Sequence, residues 1–112
     1  MAEFVQPLSE GFARLEQVTA WITRATHSDP EEAAAGATEY LRLFGLVALA
    51  FMWSKMAAVA LPRVNGAEAG FYRAKLGTAR FFLQRLLPPG EALAKVIMGG
   101  GHSLRAFDEA SF

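Results

Sequence analysis

The stretch EYLRLFGLVALAFMWSKMAAVAL, from Glu39 to Leu61, decides the fold because it is apolar on every side of a helix. A membrane-spanning helix needs about 20 largely apolar residues, and this stretch offers nearly that many around Arg42 and Lys55. A lysine inside a bilayer costs roughly 2.5–3.5 kcal/mol on insertion scales, and its long side chain can reach toward the headgroups. Lys55 alone therefore does not separate a membrane span from a helix shielded by protein, and the neighbouring segments have to decide.

Periodic apolar residues predict three long helices and a short fourth helix around this stretch. The first runs from about Pro7 to Thr26 and has a single apolar face. The second runs from Pro30 to Leu61, the third from about Ala67 to Leu87, and the short one ends near Met98. All four are bounded by proline, glycine or asparagine-glycine signals, so we predict an all-α chain.

The start of the second helix has a clear capping pattern. Asp29 is placed to cap the helix, and Pro30 suits its first position. Glu32, three residues after Asp29, completes the spacing of a capping box, while Pro62 ends the helix after Leu61. Such a start is typical of helices in soluble proteins.

The long second helix has two apolar faces, and both flanking helices have a one-sided face that must be buried. We therefore expect an up-and-down antiparallel bundle in a single domain, residues 1–112, with the long helix shielded by protein; a single membrane span through Leu43–Leu61 is the alternative. One stripe consists of Leu41, Gly45, Ala48, Met52, Met56 and Val59, and the other of Leu43, Leu46, Ala50, Trp53, Ala57 and Leu61.

The third helix has one aromatic residue outside its buried stripe. Phe81 lies almost opposite that stripe, near Ala74, Gly77 and Thr78, whose small size would let another helix approach closely. We interpret this side as a candidate packing surface. Tyr72, Leu76, Ala79, Leu83 and Leu86 form the predicted buried stripe, bordered by Phe71 and Phe82.

Composition limits the partners of the chain. It is 53% hydrophobic with 11 basic and 11 acidic residues, so there is no net charge to favour nucleic acid or an anionic membrane. The absence of cysteine excludes disulfides and thiolate metal ligands, and the first twelve residues do not resemble a signal peptide. We expect a cytoplasmic protein whose surplus apolar surface binds a protein partner, with no nucleic acid and no membrane.

No residue set in the sequence meets the requirements of catalysis, cofactor binding or metal binding. His27 and His102 lack helically spaced ligand partners, and the pair Glu31–Glu32 is explained by capping. The other acidic pair, Asp108–Glu109, lies in the tail, and Gly99–Gly101 reads as a helix stop with a hinge. Beyond it, Leu104 and Phe107 are possible anchors of the tail on the bundle.

Three segments together resemble a known domain: DPEEAAAGATEYLRLFGLVALAFMWSKMA (29–57), FYRAKLGTARFFLQRLLP (71–88) and LRAFDEASF (104–112). They are similar to the extra C-terminal domain of a subset of bacterial FAD-dependent acyl-CoA dehydrogenases, the methylmercaptopropionyl-CoA dehydrogenase-like enzymes. The segment from Phe71 to Pro88 is the most specific of the three, and the first helix matches only in character.

The resemblance implies a non-catalytic structural and oligomerisation domain. In the parent flavoenzymes a carboxylate removes the α proton of an acyl-CoA thioester and FAD accepts the β hydride. The flavin-binding and catalytic parts precede this domain, so no catalytic residue and no flavin ligand carries over to these 112 residues. The isolated chain is then not an enzyme, its chain end falls at Phe112, and its partners are a second copy or the upstream domains.

Two sets of candidate residues follow. As interface residues we single out Phe51, Trp53, Gly77 and Phe81. The alternative function is a small helical acyl-chain or acyl-CoA binding protein, which the methionine- and phenylalanine-rich interior would suit. For that function, Arg73 and Arg80 on one face of the third helix are the candidate contacts of an anionic group.

Overall fold

The computed structural model describes residues 1–108 and 110, and every regular element in that part of the chain is helical. The prediction of an all-α bundle with three long helices is confirmed. The elements are α1 (Ala2–Ser28), α2 (Pro30–Ala34), α3 (Ala37–Ala60), a 3₁₀ turn (Leu61–Arg63), α4 (Ala69–Phe81), a π-helical turn (Phe82–Leu86), α5 (Gly90–Met98) and α6 (His102–Arg105).

α1 is longer than the sequence predicted. It begins at Ala2 and contains Pro7, the residue at which we expected it to start. Pro7 is the sixth residue of α1, and having no N–H it leaves the carbonyl oxygen of Glu3 without its usual partner four residues on.

The predicted second helix is two helices, α2 and α3, separated at Ala35 and Gly36. Gly36 is buried against α5: a Cβ at this position would lie 3.2 Å from the Cα of Ile97. The backbone of α5 approaches so closely that only glycine fits without a shift. Tertiary packing thus breaks a helix whose local pattern is continuous.

The end of α4 also departs from the prediction. The backbone N–H of Leu87 donates to the carbonyl oxygen of Phe82 at 3.0 Å, a five-residue step that widens the last turn into a π-helix. Both Phe82 and Leu83 are buried in this turn, although Leu86, which we placed in the buried stripe, is 44% exposed. The widened turn rotates Leu86 away from the core and brings Leu87 into it.

α3 is the central helix, and its three neighbours lie along the same side of it. α1 runs antiparallel to α3, since the Thr19 and Tyr40 hydroxyls are 2.8 Å apart at one end and the Ser54 hydroxyl lies 3.4 Å from the Phe4 carbonyl oxygen at the other. α4 packs on the C-terminal half of α3 and α5 on its N-terminal half. The core residues are Phe4, Leu15, Val18, Leu43, Val47, Ala50, Ala57, Ala60, Leu76, Ala79, Phe82, Leu83, Leu87, Ala94 and Ile97.

The turn between α1 and α2 is capped differently from the prediction. Asp29 does cap α2, accepting the N–H of Glu31 at 3.2 Å, but Glu32 does not reach back to form a capping box. Its carboxylate instead accepts the N–H of Gly101 at 2.8 Å and pairs with Arg105. Glu32 therefore ties α2 to the start of α6.

The tail is held by Arg105, whereas the two side chains that we expected as anchors are largely exposed. Leu104 is 65% exposed and Phe107 62% exposed. Arg105 instead donates to Asp29 and Glu31 at 3.1 Å each, in addition to Glu32. Glu109 and the chain-terminal Phe112 lie outside the described residues.

Candidate functional site

The main surface feature of the molecule is the side of α3 that faces away from α1, α4 and α5; we call it the outer face. The largest side chains on it are half or more exposed, Leu41 reaching 73% and Phe44 52%. One charged residue, Lys55, lies among them. The outer face consists of Leu41, Phe44, Gly45, Ala48, Phe51, Met52, Lys55 and Val59.

The expectation that neighbouring helices shield both faces of α3 is therefore wrong for one face. The stripe containing Leu43, Ala50 and Ala57 is in the core, whereas the stripe containing Leu41, Met52 and Val59 is bare. The reason is topological: α4 and α5 follow each other along one side of α3, beside α1, and none of them forms a second layer over the other side.

By length and composition, the segment Ala37–Arg63 could cross a membrane, and it is the one such helix among the described residues. Only 33% of its most apolar window is buried within the protein. The same test is passed by the core helices of soluble proteins, so it leaves open what covers the outer face.

On one flank, the outer face continues into a groove between α1 and α3. This groove has a volume of about 530 Å³, and its lining is apolar except for one serine hydroxyl. Val5 and Phe12 of α1 are about half exposed there, so the apolar surface extends over two helices. The lining residues are Val5, Leu8, Ser9, Phe12, Leu15, Phe44, Val47, Ala48 and Phe51.

On the other flank lies a smaller groove between α3 and α4, of about 270 Å³. Two lysines, Lys55 and Lys75, line it. The ammonium of Lys55 lies 5.3 Å from the ring centre of Phe51. That of Lys75 lies 5.9 Å from Trp53 and 5.4 Å from Phe71. Each lysine thus makes cation–π contacts with aromatic rings. No carboxylate lines either of these two grooves.

The candidate interface residues do not form one patch. Phe51 lies on the outer face, and Trp53 is half buried between α3 and α4 beneath Lys75. Gly77 and Phe81 are exposed on α4, outside the lining of both grooves, with Phe81 56% exposed. Phe12 and Phe44 were not singled out from the sequence, although Phe44 precedes Phe51 by two helical turns and shares its side.

The two candidate arginines have different surroundings. Arg80 is bound by Glu3 through two hydrogen bonds of 2.9 Å, and its guanidinium lies 5.6 Å from the ring centre of Phe4. The hydrogen bonds that Arg80 donates hold the pKa of the Glu3 carboxyl below its ordinary value, and the same bonds, accepted by Glu3, raise the pKa of Arg80. An anionic ligand would have to displace Glu3, whereas Arg73 is exposed. Neither arginine lines a groove.

Other polar groups have structural explanations. The buried Ser54 hydroxyl lies 2.8 Å from the Ala50 carbonyl oxygen, so its hydrogen bond is used within α3. His27 and His102 are exposed at helix ends. Among the described residues, no group of three or more histidine and carboxylate side chains is arranged to hold a metal ion.

Comparison with known families identifies the family of the chain. The model of the family described as acetyl-CoA dehydrogenase C-terminal like matches residues 1–108. No curated protein sequence matches the chain closely enough to count as a relative. The match covers nearly all of the chain, including the bundle and its outer face, and the chain therefore belongs to this family of C-terminal domains of acyl-CoA dehydrogenases.

Proposed function

We propose that this chain is the non-catalytic packing and oligomerisation domain of an FAD-dependent acyl-CoA dehydrogenase of the methylmercaptopropionyl-CoA dehydrogenase-like subset. The parent enzyme would introduce an α,β double bond into an acyl-CoA thioester in the cytoplasm, with FAD bound by its upstream domains. The family membership supports the parent class. The chain's own mechanism is the burial of helix faces against protein.

The observation that carries the proposal is the bare outer face of α3. Isolated surface leucines and phenylalanines are ordinary, but a contiguous apolar surface over two helices marks an interaction site. Here Phe12, Phe44, Phe51 and Met52 are each about half exposed on one continuous surface. Burial of such area is worth about 25 cal/mol per Å², so leaving it in water is a substantial cost that a protein partner removes.

The proposal is tested on the purified chain by two measurements. Absorbance spectroscopy is expected to show no flavin band, and sedimentation equilibrium is expected to show a mass that rises with concentration. A stoichiometric flavin would contradict the non-catalytic role. A monomer at every accessible concentration would contradict the oligomerisation role.

Membrane contact is tested separately, because α3 has the length and composition of a span. We propose that protein covers the outer face, so the chain is expected in the soluble fraction after expression without detergent. Recovery only from detergent-extracted membranes would overturn this part of the proposal.

A second candidate function is acyl-chain binding, which the apolar groove between α1 and α3 favours. Its volume of about 530 Å³ falls in the usual range of small-molecule sites. Lys55 and Lys75 line the groove between α3 and α4, whereas Arg73 and Arg80 line neither of the two grooves.

Calorimetry with acyl-CoA of several chain lengths tests this candidate. Saturable binding that is lost in Phe12→Glu and retained in Phe81→Glu would support it, because Phe12 lines the groove and Phe81 does not. The absence of heat at every chain length would remove it.

A further inference from the structure

We propose that the groove between α3 and α4 binds a free medium-chain carboxylate, with the head group held by Lys55 and Lys75 and the alkyl chain along the rest of the groove. This site is separate from the groove between α1 and α3, and it does not depend on the oligomerisation role. The proposal follows from the charges of the two lysines, from the apolar lining beside them and from the volume of the groove.

The two lysines on the walls of this groove have no acidic partner. Lys55 comes from α3 and Lys75 from α4, and neither forms an ion pair with a carboxylate of residues 1–108 or 110. Their ammonium groups lie over aromatic rings instead. By contrast, Arg80 is occupied by Glu3. An anion in this groove therefore meets two charges that no acid neutralises, and it displaces no carboxylate of the protein.

The groove has a charged end and an apolar end. The ammonium of Lys55 lies over the ring of Phe51. That of Lys75 lies over Trp53, so both charges are at the same level of α3. Beyond Lys55, uncharged side chains line the groove toward the end of α3. A carboxylate at the lysines would thus have its alkyl chain in apolar surroundings while its charge stays paired. The uncharged residues of this part are Met56, Val59, Ala60, Phe71 and Tyr72.

The volume of the groove favours a small amphiphile with its charge on the chain itself. At about 270 Å³ the groove is slightly below the range of roughly 300–1,000 Å³ that is usual for small-molecule sites. It exceeds the roughly 150 Å³ of an apolar cavity that holds benzene. A free acid has its charge on the first carbon of the chain. An acyl-CoA thioester is uncharged there, and its phosphates lie far along the pantetheine arm.

Octanoate is the probe, and Trp53 reports its binding because the ring lies beneath Lys75. In the variant Trp21→Phe, Trp53 is the remaining tryptophan. Its fluorescence is expected to change saturably as the carboxylate draws the ammonium of Lys75 away from the ring. Octanol lacks the charge and acetate lacks the chain, so each is expected to bind about tenfold more weakly or worse.

Three results with these probes would overturn the proposal. The absence of a saturable change with octanoate would remove the site. Octanol that binds as tightly as octanoate would remove the role of the lysines. Octanoyl-CoA that binds more tightly than octanoate would assign the groove to the thioester rather than to the free acid.

Removal of single charges tests the orientation of the ligand, with calorimetry as the readout. Lys55→Gln and Lys75→Gln are each expected to raise the Kd of octanoate about tenfold, since each removes a charged hydrogen-bond donor. The guanidinium of Arg63 lies 5.6 Å from the ring centre of Tyr72, at the apolar end and outside the lining. Arg63→Gln is therefore expected to change the Kd by less than about twofold. A larger effect of Arg63→Gln than of either lysine variant would overturn the proposed orientation.

A pair of valines tests the groove itself. Val59 lines it and is 52% exposed, whereas Val96 of α5 is 56% exposed and lies outside it. Val59→Glu places a carboxylate four residues after Lys55, where it can pair with that lysine, and is expected to abolish octanoate binding. Val96→Glu is expected to leave binding unchanged, and circular dichroism checks that both variants keep their helices. Binding that survives Val59→Glu would overturn the site.

The outcomes are independent of the proposed function. A chain that binds octanoate in this groove without self-associating would support the site and contradict the oligomerisation role. A chain that self-associates without binding octanoate would do the reverse.

Discussion

At the scale of single residues, the most connected side chain is Arg105. It reaches three carboxylates, those of Asp29, Glu31 and Glu32, and fastens α6 to α2. Hydrogen bonds from Arg105 hold the pKa of Asp29 below its ordinary value of 3.8. The same bonds, accepted by Asp29 and then by the other two carboxylates, raise the pKa of Arg105. These groups are solvent-exposed, so their contribution to stability is small and screened by salt.

The direction of the pH dependence follows from Asp29. Its folded pKa is depressed, so its stabilising contribution is complete above the ordinary value of 3.8 and is lost as the pH falls through the lower folded value. Urea unfolding below about pH 4 should show a drop in the free energy of unfolding that is smaller in Arg105→Gln. Arg73→Gln, at an exposed arginine outside this cluster, should keep the full drop. Identical pH profiles for Arg105→Gln and the wild type would contradict the assignment.

Gly100 is the residue whose backbone most requires glycine. Its φ of +73° is in the left-handed region, and a Cβ there would collide with the Glu32 carboxylate. Gly100→Ala should lower the free energy of unfolding by about 1–2 kcal/mol in urea titrations. Gly77→Ala is the matched comparison, since it lies in mid-helix with open space around it and should raise the same quantity by about 0.5–1 kcal/mol. Equal effects of the two substitutions would refute the backbone argument.

At the scale of elements, the docking of α5 explains the break between α2 and α3. Ile97 is fully buried, and its side chain and backbone press on Gly36. At the other end of α5, a Cβ on Gly90 would lie 3.1 Å from a methyl carbon of Leu43. The contacts of Ile97 with Gly36 and of Gly90 with Leu43, one at each end of α5, position this short helix against α3.

Truncation at this contact measures the contribution of α5. Ile97→Ala should cost about 2–5 kcal/mol of unfolding free energy, because the deleted methyl groups leave a cavity between two elements. The neighbouring Val96 is 56% exposed, and Val96→Ala should stay within about 0.5 kcal/mol of the wild type. Similar losses for the two variants would show that α5 does not pack as described.

The sequence predicted which elements are helical because apolar periodicity and caps are local signals. The stop at Met98, the cap by Asp29 and the outward position of Phe81 follow from such signals. Local signals do not predict three other features: the break at Gly36, the π turn after Phe81 and the turning of Glu32 toward Gly101. Each of these is set by a partner more than ten residues away or by the fit of a turn in the core.

At the scale of the whole molecule, the chain is an elongated slab rather than a closed bundle. Its radius of gyration is 18.5 Å, whereas a compact domain of this length has about 13 Å. The helices on one side of α3 leave its other side bare, which accounts for the elongated shape.

The candidate surface could be inferred only in part from the sequence. The surplus of apolar residues predicted an interaction surface, and Phe51 was assigned to it. The two stripes of α3 are nearly equal in hydrophobicity, however, so periodicity could not tell which of them faces outward. That choice depends on the flank on which α4 and α5 dock, which is a property of the assembled fold.

Hydroxyl-radical footprinting tests the central claim most directly. It compares the labelling rate of Met52 with that of Met1 at increasing protein concentration. Both side chains are about half exposed in the single chain, Met52 at the middle of the outer face and Met1 at the chain start. We predict that the labelling rate of Met52 falls several-fold as the chain associates, while that of Met1 stays constant. A Met52 that labels as fast as Met1 at every concentration would contradict the claim that a protein partner covers this face.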